Sequence, residues 1–194
     1  MLRRFRIAAW ILVAVAAIGI ALLWFRIEQQ PSATSVSLGG PFTLVGADGR
    51  PFSSSRLNGR PYALFFGFTH CPDVCPTTLA RLVQLRDQLG KGAQSFDIVF
   101  VTVDPERDGP KEVGAFAQAF NAPIIGLTGS PAQIEQVKKQ FGIYSEKVPD
   151  GTGDYTVDHT ATVLLFSKGG KFDGTIAHEE QPAAALAKLN RLTS

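Results

Sequence analysis

Hydrophobic positions along the chain fall into two patterns, one long unbroken run near the N-terminus and a series of short runs after residue 40. The long run covers residues 7–25 and contains no charged residue. At about 1.5 Å per residue, a helix of this length nearly matches a hydrocarbon core of ~30 Å. The short runs have strand length or helical spacing, which predicts a separate globular domain.

The arginines around the long run predict its orientation. Arg3, Arg4 and Arg6 precede the run, and because positive residues stay in the cytoplasm, the chain after Arg26 is expected outside. We therefore predict a membrane anchor over residues 1–28 that crosses the inner (cytoplasmic) membrane once, with the N-terminus inside and the domain on the periplasmic side. The alternative is a cleaved signal peptide, although the apolar run is longer than is usual for one.

The remainder of the chain predicts a flexible linker and one α/β domain. Residues 29–40 are polar, rich in Ser and Gly and without apolar periodicity, as linkers are. Residues 41–194 suffice for one ordinary core. The predicted strands cover 42–45, 51–52, 62–68, 96–103, 124–127, 155–157, 162–166 and 172–175. The predicted helices cover 77–89, 111–120, 131–141 and 182–192. This order predicts a thioredoxin-like fold, in which helices flank a mixed central sheet.

Cys71 and Cys75 are the only cysteines of the chain, and they lie between the predicted buried strand 62–68 and the helix 77–89. A four-residue spacing puts both sulfurs on one side of a helical turn or tight loop. One interpretation is a structural disulfide, although so small a ring stabilises a fold by only roughly 2 kcal/mol. The other is a reactive pair, because a helix N-terminus stabilises a thiolate, which attacks sulfur or binds a soft metal.

His159 bears on the choice between these two chemistries. It lies in the predicted loop before strand 162–166, which a thioredoxin-like sheet brings next to the cysteines. A single histidine is more often an ordinary surface or core residue. Combined with two thiolates, however, an imidazole makes a soft three-ligand site that suits copper, especially Cu(I), whereas a structural zinc would want a fourth protein ligand. We therefore predict a metal site at Cys71, Cys75 and His159.

Four segments of the chain resemble the Sco/SenC family of membrane-tethered copper proteins of cytochrome c oxidase assembly, namely FGFTHCPDVCPTTL, VDPERD, GLTG and YTVDHTATVLL. The resemblance implies that Cys71, Cys75 and His159 bind copper as Cu(I) or Cu(II). It also implies a partner, subunit II of cytochrome c oxidase or another copper-containing oxidase, whose dinuclear copper site is filled with the protein's help. An upstream copper donor and a thiol reductant are further expected partners.

Three other function classes are alternatives to copper delivery. A thiol-disulfide reductase would use Cys71 and Cys75 as its catalytic pair to reduce the cysteines of the oxidase copper site, although reductases usually have two residues between their cysteines rather than three. A redox-signalling protein would use the same residues. A peroxiredoxin would need Thr or Ser three residues before its reactive cysteine, where Phe68 and Pro72 stand. Metal delivery without enzymatic turnover is therefore the first expectation.

The charge of the chain argues against nucleic-acid binding. Four of its 19 basic residues belong to the predicted anchor, and 16 of its 17 acidic residues follow residue 30. The exported part is therefore close to neutral and has no basic stripe for phosphates. Among the remaining polar residues, His70 is expected to be solvated and Asp158 is an open candidate for orienting His159. Asp104–Asp108 is expected to be a charged turn, with a docking surface as the alternative.

Overall fold

The computed structural model describes residues 38–90, 95–151 and 153–194, together with Arg3, Arg6, Trp10, Val15 and 17–20. The chain divides into two compact units, Met1–Val36 and Ser37–Ser194. The described residues of the first unit are helical and exposed. Most of the predicted anchor 1–28 and of the predicted linker 29–40 lies outside the described residues. Among those that are described, no helix has the length and apolar character needed to cross a bilayer.

The described part of the second unit contains a seven-stranded mixed sheet and a separate two-stranded sheet. The strands are β1 (Thr43–Gly46), β2 (Pro51–Ser53), β3 (Tyr62–Gly67), β4 (Asp97–Thr102), β5 (Ile124–Thr128), β6 (Ser145–Pro149), β7 (Tyr155–His159), β8 (Val163–Phe166) and β9 (Phe172–Ile176). The large sheet has the order β2-β1-β5-β4-β3-β8-β9, and the small one pairs β6 with β7. Strands β3, β4 and β5 run parallel, whereas the other pairs are antiparallel.

Strand β3 lies inside the large sheet and delivers the chain to the cysteines. All of its residues are buried, and it pairs with the parallel strand β4 on one side and the antiparallel strand β8 on the other. A strand covered on both faces needs apolar side chains at successive positions, which is why its sequence shows no alternation. The prediction of a buried strand before Cys71 is confirmed.

The helices of the described residues are α1 (Val74–Gln88), α2 (Pro110–Gln118), α3 (Pro131–Gln140) and α4 (Pro182–Thr193), with a short 3₁₀ helix at Ser54–Leu57. Helices α1 and α4 pack together, α2 packs along β5, and α3 contacts β1. Helix α3 begins with a capping box, since the Ser130 and Gln133 side chains each bond the other's backbone N–H. Helices around a mixed sheet confirm the predicted fold class.

Two local predictions near the cysteines and His159 differ from the structure. Helix α1 begins at Val74, three residues before its predicted start, so Cys75 lies within the first helical turn. His159 is the last residue of β7, not part of a loop. The sequence does not predict that β7 extends to His159, because the strand that pairs with it, β6, is mostly exposed and polar. Such a strand lacks the apolar pattern that predicts strands.

Candidate metal centre

The two cysteines lie in the turn that joins β3 to α1. The Cys71 backbone N–H donates to the Phe68 carbonyl at 3.3 Å. The Cys75 backbone N–H, at the start of α1, donates to the Cys71 sulfur at 3.4 Å. Cys75 is fully buried and Cys71 is half-buried. The first turn of the helix therefore points a backbone donor at one sulfur and carries the other, an arrangement that stabilises a thiolate.

Gly67 at the end of β3 provides the space that the Cys75 sulfur occupies. A Cβ atom at this position would lie 2.8 Å from the Cys75 sulfur and 3.1 Å from the Phe100 ring. Real Cβ atoms essentially never lie within 3.0 Å of another heavy atom, so the contact with the sulfur would force a shift in a densely packed interior. Glycine is therefore required here by the close approach of the thiol, and any larger residue would displace it.

Strand β7 brings His159 to the cysteines from a distant part of the sequence. The His159 Nε2 atom lies 3.5 Å from the Cys75 sulfur, across 84 residues of chain. The Nδ1 atom lies 3.1 Å from the Thr160 carbonyl oxygen, and because a carbonyl only accepts hydrogen bonds, Nδ1 carries the proton. The free electron pair is thus on Nε2, the atom that faces the thiols, as a metal ligand requires.

Two phenylalanines hold the His159 ring on its other sides. The ring packs edge-on against Phe65 and Phe68, with centroid separations of 6.2 and 5.9 Å. Phe65 and Phe68 are buried in the core that lies under the cysteine turn. The ring is therefore fixed by packing as well as by its hydrogen bond to the backbone.

The three predicted site residues converge. The sulfurs of Cys71 and Cys75 and a ring nitrogen of His159 all lie within 4.8 Å of one another, and they form the only such cluster found among the described residues. Metal-to-sulfur and metal-to-nitrogen bonds measure about 2.0–2.3 Å, so one ion reaches all three donors after a small closure. An open pocket of about 270 Å³ lies above them, lined by residues that include Pro72, Val74 and Ala161.

The two cysteines differ in the pKa of their thiols. The hydrogen bond from the Cys75 thiol lowers the pKa of Cys71 most, and although burial opposes this, the Cys75 and Asp73 backbone N–H groups lower that pKa further, to about 4. The same thiol-to-thiolate hydrogen bond, together with burial, raises the pKa of Cys75. Cys71 is thus a thiolate at neutral pH, whereas Cys75 keeps its proton until a cation takes its place.

The other polar candidates do not join the cluster. Asp158 is exposed and pairs across the small sheet with Glu146, so the alternation of the strand directs it away from His159. The His70 side chain is 54% exposed, as expected for a solvated residue, with its ring 3.5 Å from the Asp108 carboxylate. His178 bonds the Thr78 hydroxyl at 3.1 Å.

The segment Asp104–Asp108 is a turn whose two aspartates are not solvated. Asp104 and Asp108 are fully buried, and their carboxylates bond Thr69 and Tyr155, which lie in the segments that carry the ligands. From the charges in the sequence alone, these two aspartates would be expected to be solvated. In the structure each carboxylate is instead buried and bonded to a distant hydroxyl. We name residues Asp104–Asp108 the aspartate turn.

A model of the SCO1/SenC family matches residues 30–194. The chain belongs to the SCO1/SenC family. The structure of Bradyrhizobium japonicum ScoI with copper bound is 39% identical, with a TM-score of 0.72 over 80% of this chain and 99% of that one. BsSco, a member of the Sco family of cytochrome c oxidase assembly proteins in which a disulfide switch was identified, is 26% identical, with a TM-score of 0.62 over 86% of this chain and 99% of that one.

This chain matches only part of one curated SCO1/SenC relative. Protein SCO1 homolog 1, mitochondrial, of Arabidopsis thaliana is 39% identical over 143 residues, which cover 73% of this chain and 42% of that protein. The chain therefore spans less than half the length of this relative.

Proposed function

We propose that this protein is a copper chaperone that binds one copper ion through Cys71, Cys75 and His159 and assists the assembly of the dinuclear copper site of cytochrome c oxidase. The convergence of two thiols and one imidazole within 4.8 Å carries the proposal. Two thiolates and an imidazole prefer copper among the common metals, and Cu(I) above all. Support comes from the copper-bound ScoI structure at 39% identity.

Each ligand has a separate task in this proposal. Cys71, half-buried and with its pKa lowered to about 4, offers a thiolate to an approaching ion. The fully buried Cys75 must release its proton as the ion binds, so copper binding releases one proton. His159 adds a neutral nitrogen donor, which Cu(II) needs more than Cu(I) does. Cys71 and His159 line the open pocket, whereas Cys75 does not, so ligands of a partner can replace these residues one at a time.

Replacing His159 by alanine is expected to separate the two oxidation states of copper. Two thiolates still hold Cu(I), so we expect its affinity to fall by less than about tenfold, whereas Cu(II) affinity falls by roughly 100-fold or more because a ligand is lost. The measurement is a titration of the full-length reduced chain in detergent, with chelator competition for Cu(I) and thiolate-to-Cu(II) charge-transfer absorption for Cu(II).

His178→Ala is the matched control for this titration, since His178 bonds Thr78 rather than the thiols. We expect it to bind one equivalent of either ion like the natural chain. An unchanged Cu(II) affinity in His159→Ala would remove His159 from the site. If the natural chain bound no copper, the proposed function itself would be wrong.

A second candidate function, thiol-disulfide reduction, is favoured by one observation. Both thiols are free and close enough for one cluster, so the pair can form a disulfide by giving two electrons and two protons to a disulfide of a partner. BsSco, in which a disulfide switch was identified, supports this use of the pair. In this alternative the reduced pair supplies electrons to the oxidase copper-site cysteines, and a separate thiol reductant restores it.

We further propose that residues 1–28 anchor the protein in the inner membrane with the domain on the periplasmic side. Arg3, Arg4 and Arg6 before the apolar run 7–25 support this orientation. Protease added to spheroplasts is expected to digest the domain, while intact protein before digestion sediments with the membrane fraction. Recovery of a soluble mature form that lacks the first residues would show a cleaved signal peptide instead.

A further inference from the structure

The aspartate turn, Asp104–Asp108, connects the two segments that carry the candidate copper ligands. It follows β4, and its two aspartate side chains are fully buried. Burial of a carboxylate is unfavourable unless the group is paired or hydrogen-bonded. The Asp108 carboxylate bonds a residue beside the cysteine turn, and the Asp104 carboxylate bonds a residue of strand β7.

Asp108 holds the segment that leads to the cysteine turn. Its carboxylate accepts the Thr69 backbone N–H at 2.8 Å and the Thr69 hydroxyl at 2.6 Å. It also accepts the hydroxyl of Thr102, the last residue of β4, at 2.6 Å. Hydrogen bonds to a charged acceptor are stronger than neutral ones. Thr69, two residues before Cys71, is therefore held by both its backbone and its side chain.

Asp104 fixes the histidine side. Its carboxylate accepts the Tyr155 hydroxyl at 2.9 Å and the Arg107 Nε–H at 2.6 Å. Arg107 in turn donates to the Tyr155 carbonyl at 2.9 Å and lies 3.8 Å from the centre of the Tyr155 ring. Tyr155 is the first residue of β7 and His159 the last. The strand that carries the imidazole is thus bonded to the turn through both the backbone and the side chain of Tyr155.

The turn itself is closed by bonds that couple its two aspartates. The Thr102 hydroxyl, which donates to the Asp108 carboxylate, accepts the Asp104 backbone N–H at 3.0 Å. The Asp108 backbone N–H donates to the Asp104 carbonyl at 3.0 Å, and the Thr128 hydroxyl of β5 donates to the Asp108 carbonyl at 2.6 Å. The cysteine segment and the histidine strand are therefore attached to one hydrogen-bonded unit.

From these contacts we infer that the aspartate turn positions the copper ligands, because it sets the separation between the cysteine turn and His159 before any metal arrives. The inference rests on the proposed function, since it concerns ligands of copper. Cys75 and His159 are 84 residues apart, so no local structure fixes their distance. Ligand-supporting contacts outside the metal's own donors change metal affinity by about 10–100-fold when lost. Tyr155 and Asp104 are positioning residues in this sense.

The test uses Tyr155→Phe, which removes one hydroxyl and keeps the ring that Arg107 covers, in the full-length chain in detergent. We expect Cu(II) affinity to fall about 10- to 100-fold and the charge-transfer band to shift, while Cu(I) affinity changes less than about threefold. Asp104→Asn should give changes at least as large, because it also weakens the charged bond to Arg107. The double variant should be no worse than Asp104→Asn alone, because the contact between Tyr155 and Asp104 is shared by the two changes and can be lost only once.

A copper-free measurement separates positioning from metal chemistry. In the reduced metal-free chain, the Thr160 backbone N–H, which bonds the Tyr144 carbonyl beside His159 at 3.1 Å, should exchange with solvent at least about tenfold faster in Tyr155→Phe. Backbone amides of β3 should exchange at the natural rate. Faster amide exchange at the end of β7, with unchanged exchange in β3, would indicate a positioning role.

Asp97→Asn is the matched control, because Asp97 pairs with Arg60 at 2.8 Å at the start of β4, the end opposite to the turn. It should leave the copper spectra, both affinities and the Thr160 exchange rate unchanged. Natural Cu(II) affinity and exchange in Tyr155→Phe would overturn the inference while the proposed function stands, as would equal effects in Asp97→Asn. Absence of copper binding by the natural chain would overturn both.

Discussion

Replacement of Cys71 and Cys75 by alanine together is expected to reduce Cu(I) affinity by at least about three orders of magnitude, because the remaining imidazole is a single donor and a poor match for a soft ion. The fold should persist, since Cys71 is half-buried and alanine only leaves a small cavity at the buried Cys75. Competition of the full-length chain with a coloured Cu(I) chelator measures the affinity, and circular dichroism checks the fold.

The single variants sharpen this experiment. Cys71→Ala removes the thiolate and Cys75→Ala removes the buried thiol that bonds it, so each should lose most of the Cu(I) affinity. His178→Ala, which leaves the cluster intact, should bind like the natural chain. Tight one-to-one binding by the double cysteine variant would show that copper is held somewhere else, and the proposed ligand set would then be wrong.

Alkylation is expected to distinguish the two thiols by a large factor. With the pKa of Cys71 lowered to about 4, its thiolate is fully formed above roughly pH 5.5, so its rate with iodoacetamide should stay nearly constant up to about pH 8. An ordinary thiol, with a pKa near 8.5, would instead react about tenfold faster for each pH unit in that range. Cys75, buried and with a raised pKa, should react at least about 100-fold more slowly.

Peptide mapping by mass spectrometry assigns the modified cysteine at each pH. The Cys71→Ala variant is the control, since it leaves only the buried thiol and should remain largely unmodified at neutral pH. A Cys71 rate that climbs tenfold per pH unit would contradict the assignment of Cys71 as the thiolate. Equal rates at both cysteines would contradict the burial of Cys75.

The sequence predicts the frame of the fold because its elements have strong local patterns. The unbroken apolar run before Cys71 has strand length and no alternation, as expected of a strand covered on both faces, and helical spacing of apolar residues predicts a helix over 131–141. Strand β6 has no such pattern, since its exposed residues alternate little in polarity. Its pairing with β7 depends on the rest of the fold, which is why the extension of β7 to His159 was missed.

The sequence predicts the ligands of the candidate site but not the residues that hold those ligands in place. Cys71 and Cys75 are recognisable because cysteines at this spacing are rare, and a fold-level argument brings His159 beside them. The role of Asp104 and Asp108 is invisible in the sequence, where two acids in a turn look solvated. Their burial depends on hydroxyls of Thr69 and Tyr155, far away along the chain, and no periodicity reports such contacts.

The most direct measurement of the central claim is cytochrome c oxidase activity in cells whose only copy of this protein carries His159→Ala. If the protein delivers copper, activity should fall to the level of a deletion and recover in part when copper is added, because transfer needs the complete site. His178→Ala cells should keep full activity. Full oxidase activity in His159→Ala cells without added copper, combined with loss in Cys71→Ala cells, would contradict copper delivery and favour disulfide reduction.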